Sequence, residues 1–426
     1  MTNLQSYILP LAVYVFAARF SLSAANKRIR DLLFVSVNLI AFVWISLLAR
    51  WNTWNEETIW SLGGEIVLRH IFLIGVYVLV IAAGYYLVRF FVQNDPRFLI
   101  ALLYPIFLLI SVKLFPGFWG SLFDRLDWEN WSFGAAIIGL SYMAFRLSYL
   151  VLEVRNGIVT MPTLSEYLGF AFFLPTLVVG PINRFSLHQR SLETDDRSGL
   201  PAERALLRII VGTTKYFFLA NLANQLSYGG IFMDGRPHGL FDLGIAVVFY
   251  YLFLYLNFSG FCDIAIGVAA LIGIRVSENF NNPFAAQNVK DFWNRWHITL
   301  SQYTRDMIFA PLSTFLVRKW GVKHTNFSIA VSIFVVFIVI GLWHGFGVRF
   351  AIFGLIHAVG VIANHYYTIF LKRRLGRERY KRYNENPFVN VVAVALTFVY
   401  VALSFAVFAN GKTMLITIKD ALTAGV

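Results

Sequence analysis

Residues 327–345 read FSIAVSIFVVFIVIGLWHG, and residues 326–343 form an uninterrupted run of eighteen positions without Lys, Arg, Asp or Glu. A helix that crosses a bilayer needs about 20 mainly apolar residues, so this run has the length and composition of a spanning helix. Working outward, comparable apolar runs lie near residues 8–24, 31–49, 66–90, 98–116, 133–152, 205–222, 240–258, 350–371 and 388–409. Together they predict an all-α, polytopic integral membrane protein with about ten crossings.

The whole chain agrees with its runs. Of 426 residues, 58% are hydrophobic and 14% charged, where soluble domains carry roughly 45–50% and about 25%. That balance excludes a soluble globular protein and favours one membrane domain over residues 1–426. The formal charge of +13 could suggest nucleic acid, but the basic residues stand in short clusters between apolar runs, where they act as topology signals. They do not interleave with aromatic residues on a polar surface, so no nucleic-acid partner is expected. Cys262 is the only cysteine, which excludes an internal disulfide and a thiolate metal cluster. The first apolar run lacks a preceding basic stretch and a following small-residue cleavage site, and reads as a retained helix.

Lys27, Arg28 and Arg30 mark the first loop as cytoplasmic, and Lys372, Arg373, Arg374, Arg377, Arg379, Lys381 and Arg382 mark the last. The loops bearing Glu56 and Glu57, and Asp124, Asp127 and Glu129 with Arg125, read as external. Ten crossings then put both ends of the chain outside. Two regions break the up-and-down pattern. The apolar stretch Leu164–Gly180 is interrupted by Pro175 and followed by Pro181, which suggests a re-entrant hairpin. Residues 279–320 mix Pro283, Pro311 and five Lys/Arg with apolar stretches. They read as tilted, half-buried helices at the cytoplasmic interface, with Trp293 and Trp296 at headgroup depth.

Ionisable residues within apolar runs are costly unless paired or facing a cavity, so they are the functional candidates. His344 closes the apolar run quoted above, flanked by Gly341 and Gly345, which permit close backbone approach or a helix break. In a dry pocket its imidazole would be neutral and suited to act as a general base; the alternative is a histidine hydrogen-bonded between helices. His297 lies in FWNRWHITLSQYTRD (Phe292–Asp306), where helical spacing would align it with Ser301 and Arg305 beside Trp293 and Trp296. The alternative there is an amphipathic interfacial helix. No metal is expected, because neither histidine has His-rich or His-Glu-His spacing around it. There is also no G-x-S-x-G elbow and no P-loop, against a serine hydrolase or an ATP-driven pump. For Asp263, Arg184, His357 and His365, structural pairing and packing are the default roles.

These motifs carry a resemblance. FWNRWHITLSQYTRDMIFAPL (Phe292–Leu312), followed after an apolar run by GLWHG, is similar to the paired signature of the membrane-bound O-acyltransferase (MBOAT) family. NFSGFCDIAIGVAALIGIRVSENFNNPF (Asn257–Phe284) and GPINRF (Gly180–Phe185) resemble further segments of it, and the likeness runs from about residue 140 to 370, with a catalytic core over 130–375. The resemblance implies His344 as the catalytic residue and His297 as its catalytic partner. Trp293, Trp296, Ser301, Arg305 and Asp263 become donor-binding or supporting candidates. SYMAFRLSYLVLEVRNG (Ser141–Gly157) and PTLSEYLGFAFFLPTLVVGPINRF (Pro162–Phe185) look most like the D-alanyl transfer branch of the family.

That branch implies a D-alanyl thioester on the phosphopantetheine arm of an acyl carrier protein at the cytoplasmic face. It also implies an extracytoplasmic acceptor polymer or acyl-relay protein, and no bound cofactor. The cell (cytoplasmic) membrane and its lipids are the expected setting. Two rivals share parts of the pattern: an O-acetyltransferase of the alginate or peptidoglycan modification type, and a transporter or flippase for an envelope precursor.

Overall fold

The computed structural model describes residues 5–51, 56–92, 96–115, 139–193, 200–233 and 236–423. Among them the chain is helical and forms two compact units. One comprises residues 1–209 with 263–277, the other 210–262 with 278–426.

The first unit contains α1 (Gln5–Ser21), α2 (Lys27–Trp51), α3 (Glu56–Phe91), α4 (Phe98–Leu114), α5 (Leu140–Arg155), α6 (Leu164–Ala171) and α7 (Phe185–Glu193). The start of α6 was written in its sequence. Thr163 accepts a hydrogen bond from the Glu166 backbone N–H at 3.3 Å, while the Glu166 carboxylate accepts from the Thr163 N–H at 2.8 Å. This reciprocal cap satisfies two donors that a helix N-terminus leaves open. The helix ends at Ala171, one tight turn covers Leu174–Thr176, and no helix resumes until Phe185. The break expected around Pro175 is therefore real, and buried polar groups satisfy its backbone. Asn38 Oδ1 accepts from the Leu174 N–H at 3.2 Å, and the fully buried Arg146 donates to Thr176 Oγ1 at 2.9 Å and the Ala171 carbonyl at 2.7 Å. Non-helical backbone among apolar groups needs such partners.

Two long helices carry residues of both units, α8 (Ala202–Thr213) continued through a π-turn into α9 (Ala220–Gln225), and α10 (Leu240–Ile272). Glycine lets backbones approach here. In the second unit a Cβ at Gly260 would sit 2.8 Å from the Gly212 carbonyl oxygen, a clash that a hydrogen avoids.

The second unit also holds α11 (Val289–Arg295), α12 (Ile298–Thr304), α13 (Ala310–Trp320), α14 (Thr325–His344), α15 (Val348–Glu385) and α16 (Pro387–Ala409). α14 and α15 pack as a tight hairpin: a Cβ on Gly341 would collide with the Phe350 carbonyl oxygen, and one on Gly354 with that of Phe337. The expected cytoplasmic loop from Lys372 to Arg382 is instead helical, as part of α15, which turns at Gly376 with φ +68°. A non-glycine residue rarely adopts that backbone conformation.

Among the described residues, seven helices are long and apolar enough to cross a membrane, and Pro10–Ser21 and Phe98–Leu114 are shorter apolar helices. α5 supplies the described part of the run expected at 133–152. Its first residues, and the loop with Asp124, Arg125, Asp127 and Glu129, lie outside the described residues. The interfacial reading of 279–320 is corrected in one respect. Trp293 and Trp296 are each only 6% exposed, and Trp296 packs against Tyr251, Phe292 and Phe405 at ring-centre distances of 5.9, 5.5 and 5.2 Å. They are core aromatics of the second unit, because the chain breaks between α11 and α12 and folds both indoles inward.

Candidate active site

The break between α11 and α12 creates the site. Trp296 is extended and pairs with Phe280 in an isolated antiparallel bridge. Asn281 N–H donates to the Arg295 carbonyl at 2.9 Å, and Ile298 N–H to that of Asn279 at 3.0 Å. Between these bonds His297 is held at φ +45° as the residue that starts α12. The left-handed region costs an L-residue about 1–2 kcal/mol, and such strain persists only where surrounding contacts over-determine it. The single helix expected through His297, Ser301 and Arg305 is thus replaced by a helix start at His297.

Asn279 sets the chemistry of that histidine. The buried Asn279 Oδ1 accepts from the Thr299 backbone N–H at 3.2 Å and from Thr299 Oγ1 at 2.9 Å. A backbone N–H can only donate, so Oδ1 is an acceptor, and His297 Nδ1, 3.1 Å away, is the donor to it. The proton therefore resides on Nδ1. The other nitrogen, Nε2, is buried without a hydrogen-bond partner among the described residues, which leaves a lone pair available to an incoming group. Burial, helped by the neighbouring His344, holds the pKa of His297 down at about 3. The ring is neutral at physiological pH.

His344 is the last residue of α14; Gly345 beyond it is extended, and the chain turns at once into α15. Its ring meets Phe408 edge-on with centres 5.0 Å apart and stacks against Phe350 at 6.4 Å. Trp343 has its ring centre 4.6 Å from His344 and 6.4 Å from His297. Of the two histidines His344 is exposed and His297 is the buried member. The physical reason is position, since the close packing at Gly341 and Gly354 ends one turn before the helix does.

Beside His297 lies a cavity of about 240 Å³ whose wall includes Trp293, Ile298, Ser301, Phe337 and Ile340, with Arg305 also lining it. Ser301 Oγ is buried without a hydrogen-bond partner among the described residues, and the exposed Arg305 pairs with Asp306 at 3.0 Å. The structure thus gathers Trp293, Ser301 and Arg305 at one cavity, whereas Trp296 lies in the aromatic core against Tyr251, Phe292 and Phe405. Asp263 belongs to the first unit, where Arg208 pairs with it at 2.9 Å. Arg184, also there, lies 4.6 Å over the Tyr149 ring. Asp263 was expected either as a structural partner or as a donor-binding or supporting residue, and Arg184 as a structural one; the ion pair and the ring contact are interactions of the structural kind. Asn279 was missed as a functional residue: it sits in a loop without periodicity, and the only signal was its place in the Asn-rich ENFNN stretch.

The model of the membrane-bound O-acyltransferase family matches residues 37–406. The chain belongs to this family. The MBOAT match covers both histidines, the cavity and Asn279. The chain is 32% identical over 290 residues to the teichoic acid D-alanyltransferase of Streptococcus thermophilus, spanning 64% of this chain and 68% of that protein. It is 30% identical to the teichoic acid D-alanyltransferase of Bacillus subtilis, over 65% and 69% of the two chains. It is also 27% identical to the probable alginate O-acetylase of Pseudomonas aeruginosa, over 64% of this chain and 48% of that one. The MBOAT protein is a multi-pass membrane O-acyltransferase.

Proposed function

We propose that this acyltransferase moves a D-alanyl group from a phosphopantetheine thioester, presented by a carrier protein at the cytoplasmic face of the cell membrane, to a hydroxyl of an extracytoplasmic envelope polymer or relay protein. The observation that carries the chemistry is the pair His297 and His344, one buried with a bare Nε2 and the other exposed at a helix end. Similarity to two teichoic acid D-alanyltransferases supports the choice of acyl group and acceptor.

In this reading the donor arm occupies the cavity along Trp293 and Ser301, and Ser301 Oγ bonds one of its amides. The acceptor hydroxyl reaches His344, which removes its proton as the oxygen attacks the thioester carbonyl. The carbon–sulfur bond then breaks, the new ester forms, and the thiolate takes the proton back from His344. His297 Nε2 accepts a hydrogen bond from the donor arm or from His344 and keeps the reacting groups in register. The thioester carries its own activation, so this step uses no nucleotide. The basic inner loops favour an acidic carrier.

The second reading is O-acetyl transfer, favoured by the likeness to the probable alginate O-acetylase. Purified protein in vesicles, offered D-alanyl carrier protein or an acetyl thioester with radiolabel in the acyl group, separates the two. Label transferred to acceptor from the D-alanyl donor alone is the expected result; transfer from the acetyl thioester alone overturns the proposal.

A further inference from the structure

His357 lies in α15 away from the catalytic pair, is fully buried, and has both ring nitrogens bonded. Trp293 Nε1 is 3.1 Å from His357 Nδ1. An indole N–H can only donate, so Nδ1 must be a bare acceptor. The proton of the neutral ring is then on Nε2, which lies 2.9 Å from Ser404 Oγ, and the Ser404 hydroxyl donates to the Val401 carbonyl at 2.7 Å. The polarity of the whole chain is determined: Trp293 to His357 to Ser404 to Val401. It runs from α11 through α15 to α16 and ends on a backbone carbonyl that cannot move independently of its helix.

The far end of this chain is the cavity wall. Trp293 lines the cavity that Ser301 and Arg305 also line, four residues before His297. Its indole meets the His357 ring edge-on at 5.1 Å and the Phe337 ring at 5.1 Å. Apolar packing alone would let a flat indole slide or tilt, because dispersion contacts have little directional preference. The bond to Nδ1 supplies the direction.

We infer that His357 is a positioning residue for the donor cavity: its Nδ1 anchors the Trp293 indole and so sets the width of that cavity. The reading of that cavity as the donor's rests on the function proposed above. The anchoring itself does not.

The substitutions separate the nitrogens. In His357→Asn the amide oxygen can stand where Nδ1 stands and accept from Trp293, whereas His357→Gln puts its amide at the place of Nε2. Trp293→Phe removes the donor. Two readouts apply to each variant: the KM for carrier-bound donor against kcat, and the rate at which a thiol reagent modifies a cysteine introduced by Ser301→Cys, the native Cys262 being buried. For His357→Gln and Trp293→Phe the expected result is a KM about 10-fold higher with kcat within about 2-fold, the equivalent of one hydrogen bond of about 1.4 kcal/mol. A changed labelling rate should accompany it. His357→Asn should match the parent in both, and the double variant His357→Gln/Trp293→Phe should be no worse than either single one. A labelling change without a KM change sustains the anchor and overturns the donor reading of the cavity. Equal defects in the asparagine and glutamine variants, or no change in either readout, overturn the anchor.

Discussion

Asn279 Oδ1 and His297 Nδ1 lie 3.1 Å apart within buried surroundings, and this contact leaves His297 Nε2 as the one bare nitrogen of the ring. Replacing Asn279 by Leu removes the acceptor and frees the tautomer, and turnover should fall about 10-fold or more. Asn279→Asp preserves the acceptor and adds a negative charge, which favours protonated His297. Its pH–rate profile should show the acid limb displaced to higher pH relative to the parent. An unchanged profile for Asn279→Asp with normal turnover for Asn279→Leu would show that the contact has no part in catalysis.

His344→Gln retains a polar side chain at the end of α14 but cannot take a proton. Expression and carrier binding should be normal and turnover reduced by at least about 10². His297→Ala should lose less, with part of the defect in donor use. Near-normal turnover of well-expressed His344→Gln would remove His344 from the role of base.

The helical segment Lys372–Arg382 carries seven basic residues and should face the cytoplasm, since so many positive charges near a helix end oppose export. A cysteine introduced by Arg374→Cys should resist an impermeant thiol reagent in intact cells and react after permeabilisation. Labelling in intact cells would invert the topology and with it the side from which the donor arrives.

His188 on α7 is buried among Phe34, Phe170, Phe173 and Phe185, at ring-centre distances of 5.9, 5.3, 5.3 and 6.4 Å. Burial first, then the nearby Arg146, pushes its pKa down to about 3. The unfolded chain, with histidine near its ordinary value of about 6.5, binds the proton more readily. Its contribution to stability is therefore complete above about pH 6.5 and is lost as pH falls towards 3. His188→Phe should flatten the fall in unfolding midpoint between about pH 6 and 4. Parallel curves for parent and variant would show that His188 does not titrate on unfolding.

Hydropathy was enough to locate the long apolar helices, since a long uncharged run has no stable place outside a bilayer or core. The paired motifs around His297 and His344 were likewise legible, because those residue types recur at a family-specific spacing. What a linear reading missed is all non-local. Helical periodicity ran straight through His297, whereas backbone bonds from Asn279 and Asn281, arriving from a separate loop, hold the chain in a left-handed turn there. Trp293 and Trp296 have the composition of headgroup anchors, yet tertiary packing turns both inward and commits Trp293 to His357, 64 residues away. Which of His344 and His297 would be buried was equally undetermined, as burial depends on where the close approach at Gly341 and Gly354 stops. The protonated nitrogen of each buried histidine was decided by its partner, and a partner distant in sequence becomes visible only when the fold brings it within hydrogen-bonding distance.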